Sequence, residues 1–190
     1  RVYNRWAMLI FLHGSDTYRS RQRLKQLVAA FKQKYDASGL NVARLNGADF
    51  ELEAFRRSAA AAGFLASRRF VAIEGLLGAN PSKGVQEELV AFLDQHEKSE
   101  NIIVFVEDDV GDTRPRKKGK GSRTSGQLLH WLLEHAKVET FETLTGEALN
   151  RWIRDEVKRQ GATIEPPAVL ELAGLVGSDL WQMSGEIAKL

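Results

Sequence analysis

MLIFLHGSDTYRSRQRLKQLVAAFKQKY, from Met8 to Tyr35, is the stretch on which the fold turns. Met8 to Leu12 is an unbroken apolar run closed by Gly14, the pattern of a strand buried on both faces. Beyond the glycine, Leu24, Leu27, Val28, Phe31 and Tyr35 recur at spacings of three and four, with arginines and lysines on the opposite face. That is an amphipathic helix, with Ser15 or Asp16 available to cap its start and Gly39 to stop it.

The alternation continues downstream. Val42 to Asn46 reads as a second strand, followed by Asp49 as a cap and a helix carrying Leu52, Phe55 and Ala59 inward. Arg69 to Glu74 is a third strand, and Val85, Leu89, Phe92 and Leu93 mark another amphipathic helix. Asn101 to Val106 is the most strongly β-branched strand. Leu128, Leu129, Trp131, Leu132 and Leu133 belong to a helix, and Lys137 to Phe141 to a fifth strand. Strands alternating with helices predict an α/β fold, a five-stranded parallel sheet covered by helices on both faces. From Thr145 only helical periods remain: Leu149, Trp152, Ile153 and Val157; then Val169, Leu170, Leu172 and Ala173, opened by Pro166 and Pro167; then Leu180, Trp181, Met183 and Ile187. The expected layout is a leader or tag-like extension over 1–7, an α/β domain over 8–143 and a three-helix bundle over 144–190.

With 190 residues, 43% hydrophobic and 27% charged, the chain has the composition of an ordinary globular protein of two domains. Cysteine is absent, which excludes disulfides, thiolate nucleophiles and the common zinc clusters, and a cytoplasmic location is expected. Apolar runs such as Met8 to Leu12 and Ile102 to Val106 fall far short of the roughly 20 residues that span a bilayer, so no membrane partner is expected. One run is strongly basic. Arg114, Arg116, Lys117, Lys118, Lys120 and Arg123 stand with no acid among them; with the six removed, the formal net charge of +2 falls to −4. Such a run is either a solvated loop or a contact to nucleic-acid phosphates, and without an interleaved aromatic it would read little sequence.

In parallel sheets, ligands sit at the carboxyl ends of strands, so the turn after the first strand is where a nucleotide would lie. A phosphate loop needs G-x-x-x-x-G-K-[ST], in which backbone N–H groups close on the phosphates, lysine neutralises them and the hydroxyl holds magnesium. Here Gly14, Ser15, Asp16 and Thr17 form the turn: the second glycine, the lysine and the hydroxyl beside it are missing, and Asp16 sets a negative charge where a phosphate would lie. The loop is degenerate. His130 and His135 are five apart and share no helix face, and no G-x-S-x-G elbow occurs. Glu107, Asp108 and Asp109 follow the fourth strand and have the chemistry to hold magnesium, yet carboxylates at a strand end read more simply as solvent contacts. No catalytic residue, metal or cofactor is predicted. In GFLASRR, Gly63 to Arg69, Phe64 and Leu65 either fold back onto the core or form an exposed apolar wedge flanked by Arg68 and Arg69.

Four stretches carry a resemblance: Ile10 to Arg21; GFLASRRFVAIE, Gly63 to Glu74; KVETFETLTGEALNRWI, Lys137 to Ile153; and the final LVGSDLWQMSGEIAKL. Together, from about Met8 to Leu190, the chain resembles the delta subunit of the bacterial DNA polymerase III clamp loader. The resemblance implies a RecA/AAA+-like fold with a decayed nucleotide site and no ATPase activity of its own. It implies, as partners, the sliding clamp (the beta subunit), the other loader subunits and, through the complex, primed DNA. The family's clamp-binding pair of apolar residues falls on Phe64 and Leu65. Two features depart from active AAA+ relatives: Ser178, Asp179 and Leu180 stand where a sensing arginine would lie, and Glu134, His135 and Ala136 replace the Ser-Arg-Cys that supplies an arginine finger. Nothing in the sequence matches the family's third, collar domain, through which subunits assemble. The alternatives are a P-loop-like NTPase with an unusual nucleotide loop, or a single-stranded DNA-binding module.

Overall fold

The computed structural model describes residues 8–60, 68–96, 99–111 and 126–189. They form two compact units, one ending at Phe141 and the other beginning at Glu142.

In the first unit, β1 (Met8–His13), β2 (Val42–Asn46), β3 (Phe70–Glu74), β4 (Ile102–Glu107) and β5 (Lys137–Thr140) make one sheet in the order β2-β3-β4-β1-β5. All four pairings are parallel, in registers such as Val42 on Phe70, Phe70 on Ile102, and Ile10 on both Val104 and Lys137. The connecting helices are α1 (Thr17–Tyr35), α2 (Leu52–Ala60), α3 (Lys83–Gln95) and α4 (Gln127–His135). Successive strand residues point to opposite faces, so each central strand serves two cores at once. Leu9 and Phe11 join Val71, Ile73, Ile103 and Phe105 beneath α2, α3 and α4, which contribute Phe55, Leu89, Leu93, Leu128 and Leu132. Ile10 and Leu12 join Phe70, Ala72, Val104 and Val106 on the other face, covered by Leu24, Val28 and Phe31 of α1. The edge strands β2 and β5 are only half-buried, and Arg44 and Lys137 stand exposed on them.

Local chemistry sets the helix starts. Asp16, rather than Ser15, caps α1 by accepting from the Arg19 N–H, and Ser82 caps α3 by accepting from the Val85 N–H. Asp49 does not cap α2. It closes a single 3-10 turn, Gly47–Asp49, which Asn46 caps through the Ala48 N–H. At α4 the N-cap is Gly126, and the cap is supplied from α3: Gln86 Oε1 accepts from Leu128 N at 3.3 Å.

The second unit holds α5 (Gly146–Arg159), α6 (Pro166–Val176) and α7 (Leu180–Ile187). Leu149, Ile153, Val157, Val169, Leu180, Met183 and Ile187 form its interior. Two residues expected inside are not: Leu170 is 62% and Trp181 53% exposed. Each follows a buried residue directly, so it lies about 100° further round its helix, and a bundle of three short helices encloses only one stripe of each. Among the described residues, no helix is long and apolar enough to cross a membrane.

Candidate functional site

The carboxyl ends of the strands bring together the turn after β1, the residues after β4 and the exit of β5. Gly14 has φ +135, and a Cβ placed there would stand 2.2 Å from the Phe141 carbonyl oxygen, so only glycine fits the turn. That approach is fixed by hydrogen bonds: Phe141 N–H donates to His13 O at 2.8 Å and Asp16 N–H donates to Phe141 O at 2.9 Å. Gly14 N–H donates to Asp108 O at 3.3 Å, and Thr17 N–H to Ser15 O at 3.2 Å. The N–H groups of Gly14, Asp16 and Thr17 therefore all end on carbonyls of the chain itself.

Asp16 completes the pattern. Its carboxylate is 6% exposed and sits at the N-terminus of α1, accepting from Arg19 N at 2.9 Å and from Arg19 Nε at 2.6 Å. A helix N-terminus carries a partial positive charge of about half an electron, the feature that attracts a phosphate. Here a tethered carboxylate and its own arginine fill that position. Arg19 also lies 5.9 Å over the Phe141 ring. Ser15 is exposed and Thr17 half-buried on the same turn.

Around this turn the charged groups are paired. Arg21 Nη2 bonds Asp108 Oδ1 at 2.8 Å, and its Nε lies 3.4 Å from Glu74. His13 is buried, stacks on Phe11 with centroids 4.8 Å apart, and meets Thr140 Oγ1 through Nε2 at 3.2 Å. Burial holds its imidazole below the usual histidine range, partly opposed by Asp109. Glu107 departs from the expectation of a solvent contact. It is 2% exposed, and its carboxylate accepts from Leu77 N at 2.9 Å and Gly78 N at 3.2 Å, binding the loop after β3 to β4. Desolvation pushes its carboxyl above the usual range, with those N–H bonds acting the other way. Asp108 and Asp109 are exposed, as expected. Among the described residues, no three histidine, aspartate or glutamate side chains gather as a metal site. His135 instead stacks on Trp131 and contacts the Trp131 carbonyl.

The opposite end of the sheet holds the strand starts. Phe64 and Leu65 fall within 61–67, and Arg114, Arg116, Lys117, Lys118, Lys120 and Arg123 within 112–125; both stretches lie outside the described residues. The two arginines that follow Phe64 and Leu65 are described and differ. Arg68 lies 4.9 Å over the Tyr35 ring, donates to Tyr35 Oη at 3.1 Å and pairs with Glu100 at 3.1 Å. Arg69 acts through its backbone: its N–H donates to Asn101 Oδ1 at 2.8 Å and its carbonyl accepts from Ile102 N at 2.8 Å. Asn101 also donates through Nδ2 to Ala59 O at 2.7 Å. Residue types in order assign no role to the His13 side chain and place Asn101 only at the head of a strand, while Arg19 matters to them only under the NTPase alternative. Of these only Arg19 had a visible signal, three residues after Asp16 at helical spacing.

No family model matches the sequence, and no curated protein does. Solved structures do. The Bacillus subtilis DNA clamp loader delta protein (YqeN) matches with a TM-score of 0.61 at 19% identity, over 95% of this chain and 52% of that one. Domain III of the Thermotoga maritima replication initiation protein DnaA matches at 0.61 and 18%, over 100% and 77%. AMPPCP-bound DnaA from Aquifex aeolicus matches at 0.65 and 16%, over 98% and 54%. The chain thus spans about half the length of the clamp loader delta protein. At these identities the likeness is one of fold, and the fold is a RecA/AAA+-like parallel sheet followed in the chain by a small helical unit.

Proposed function

We propose that this chain acts in DNA replication as a clamp-loader delta-type subunit, gripping the sliding clamp through Phe64 and Leu65 and favouring its open form, with no ATPase activity of its own. The observation that carries the reading is the α1 N-terminus: where an active relative would seat a phosphate, the Asp16 carboxylate is held by Arg19 N and Nε. A triphosphate entering there would have to displace a paired carboxylate of like charge. The resemblance in four ordered stretches and the shared fold with a clamp loader delta protein support the same reading. Energy for the loading cycle would then come from nucleotide bound by other subunits, and primed DNA would be reached through the complex, with the basic run from Arg114 to Arg123 as a phosphate contact.

Two large apolar side chains buried in a partner pocket contribute roughly 1.5–3 kcal/mol each, so Phe64→Asp with Leu65→Asp should weaken binding to the cognate sliding clamp by at least about 100-fold. The measurement is surface plasmon resonance on variants whose circular dichroism matches the parent. Unchanged affinity removes the assignment. A second reading, a nucleotide-binding initiator-like protein, draws on the fold shared with an AMPPCP-bound DnaA. It requires magnesium-ATP to bind beside His13 and Asp16.

A further inference from the structure

The two sides of the sheet differ in charge. Among the described helices of the first unit, α1 alone packs on the face formed by Ile10, Leu12, Val104 and Val106. It carries six basic residues, Arg19, Arg21, Arg23, Lys25, Lys32 and Lys34, and no acidic one. On the other face α2, α3 and α4 together set Arg56, Arg57 and Lys83 against Glu53, Glu87, Glu88, Asp94 and Glu134. With histidine neutral, the helices on the two sides therefore have formal charges of +6 and −2. The stability of α1 does not explain its excess. A helix favours acids in its first turn and bases in its last; Lys32 and Lys34 follow that rule, but the first turn holds Arg19 and no acid, and Arg21, Arg23 and Lys25 come next.

The tertiary structure divides the six. Arg19 pairs with Asp16, Arg21 with Asp108 and Glu74, and Arg23 with Glu139. Lys25, Lys32 and Lys34 are exposed, and among the described residues none of the three has a carboxylate partner. Lys34 lies 5.1 Å over the Tyr35 ring. At about 100° and 1.5 Å per residue, Lys25 and Lys32 stand on one flank of the helix roughly 10 Å apart, and Lys34 stands on the opposite flank. The ridge between the flanks is Gln22, Gln26, Ala29, Ala30 and Gln33.

That ridge narrows the class of partner. It has no large apolar side chain to anchor a protein interface and no aromatic on which an unpaired base would stack. The apolar side of α1 is spent on the sheet, so the helix has none left to sink into a lipid surface. What it offers is ammonium groups on two flanks and amide donors between them, which suits a row of phosphates. Duplex DNA presents such a row, with about one negative charge per 1.7 Å of axis. We propose that the solvent face of α1 is a contact for the backbone of duplex DNA, with Lys25, Lys32 and Lys34 on phosphates and Gln26 and Gln33 donating beside them. The contact is independent of sequence, goes beyond the docking reading of Phe64 and Leu65 and does not depend on it. The acidic helices on the far side of the sheet turn that side away from the DNA.

The test is fluorescence anisotropy of a labelled duplex titrated with the full chain over a range of salt. Changing Lys25→Gln, Lys32→Gln and Lys34→Gln together should lower the slope of log K against log salt by about three, one per lysine, and raise Kd at least about tenfold at low salt for unrelated sequences alike. Glutamine is a good helix former, and circular dichroism confirms that the variant is folded. Arg57→Gln with Lys83→Gln, on the opposite face, should change neither quantity appreciably. The same drop in slope should appear when the six basic residues between Arg114 and Arg123 are also changed to glutamine. The proposal is overturned if the parent chain does not bind the duplex, if it prefers single strands, or if the triple variant keeps the parent's slope. It is equally overturned if the opposite-face pair costs as much per charge, which would make the effect one of net charge, or if the drop vanishes once the 114–123 run is neutralised, which would assign the contact to that run.

Discussion

Among single residues, Glu139 shows how the sheet edge is held. It accepts from Arg23 Nε at 2.7 Å and Nη2 at 3.1 Å and from Lys137 Nζ at 2.8 Å, which ties α1 to β5. The hydrogen bond from Arg23 is the largest cause holding its carboxyl down to about 2, against an ordinary 4.5. A depressed carboxylate stabilises the fold above its unfolded pKa, and that contribution fades as the pH falls through the folded one. Arg23→Gln should therefore cost about 0.5–1 kcal/mol at neutral pH, the range for a largely solvent-screened pair. The cost should shrink between pH 4.5 and 2. Urea titrations of both proteins across that window measure it, and a pH-independent difference would assign the effect to packing of the arginine stem. Glu107 behaves oppositely: burial raises its carboxyl, so its ionisation weakens the fold as the pH rises, and only its bonds from the loop N–H groups make the position tolerable.

At the scale of elements, the turn between β1 and α1 is the unit whose chemistry decides the reading. Gly14 is required because its φ is positive and a Cβ would collide with the Phe141 carbonyl. Gly14→Ala should destabilise the α/β unit by about 2–5 kcal/mol, combining backbone strain with a displaced β5 exit. Thermal and urea unfolding followed by circular dichroism read this directly, and a loss below about 0.5 kcal/mol would mean that the turn relaxes freely. The cause lies in pairing between strands far apart in sequence: β5 lies in register with β1, His13 on Thr140, so the residue after each strand is brought against the other. Within the turn, Asp16 acts as helix cap and arginine partner together, which is why Asp16 rather than Ser15 takes the cap.

For the molecule as a whole, the nucleotide question has a simple readout. A ligand that binds only the folded chain raises its melting temperature by mass action. Millimolar magnesium-ATP should leave the melting temperature unchanged, whereas a rise of several degrees that disappears on Arg19→Ala would favour the nucleotide-binding reading. Much of the architecture was legible in the sequence. Met8 to Leu12 and Ile102 to Val106 are apolar without a break because both faces of a central parallel strand are covered, and the three- and four-residue spacings of α1 to α5 follow from one buried stripe per helix. The missing lysine and the carboxylate of Asp16 in the first turn were legible too, since both are properties of residue types in order. Less of the second unit was, because in short helices a one-residue step separates Val169 from the exposed Leu170 and Leu180 from the exposed Trp181. Sequence by itself determined the alternation of elements and the charge at the first turn, both of which follow from local period and side-chain chemistry. Only the tertiary structure decided that the Phe141 carbonyl closes on Gly14, that Glu107 is buried against Leu77 and Gly78, and that Asn101 joins Ala59 to Arg69. Those contacts cross between elements, and no periodicity along a chain records which polar group another element will bring within hydrogen-bonding distance.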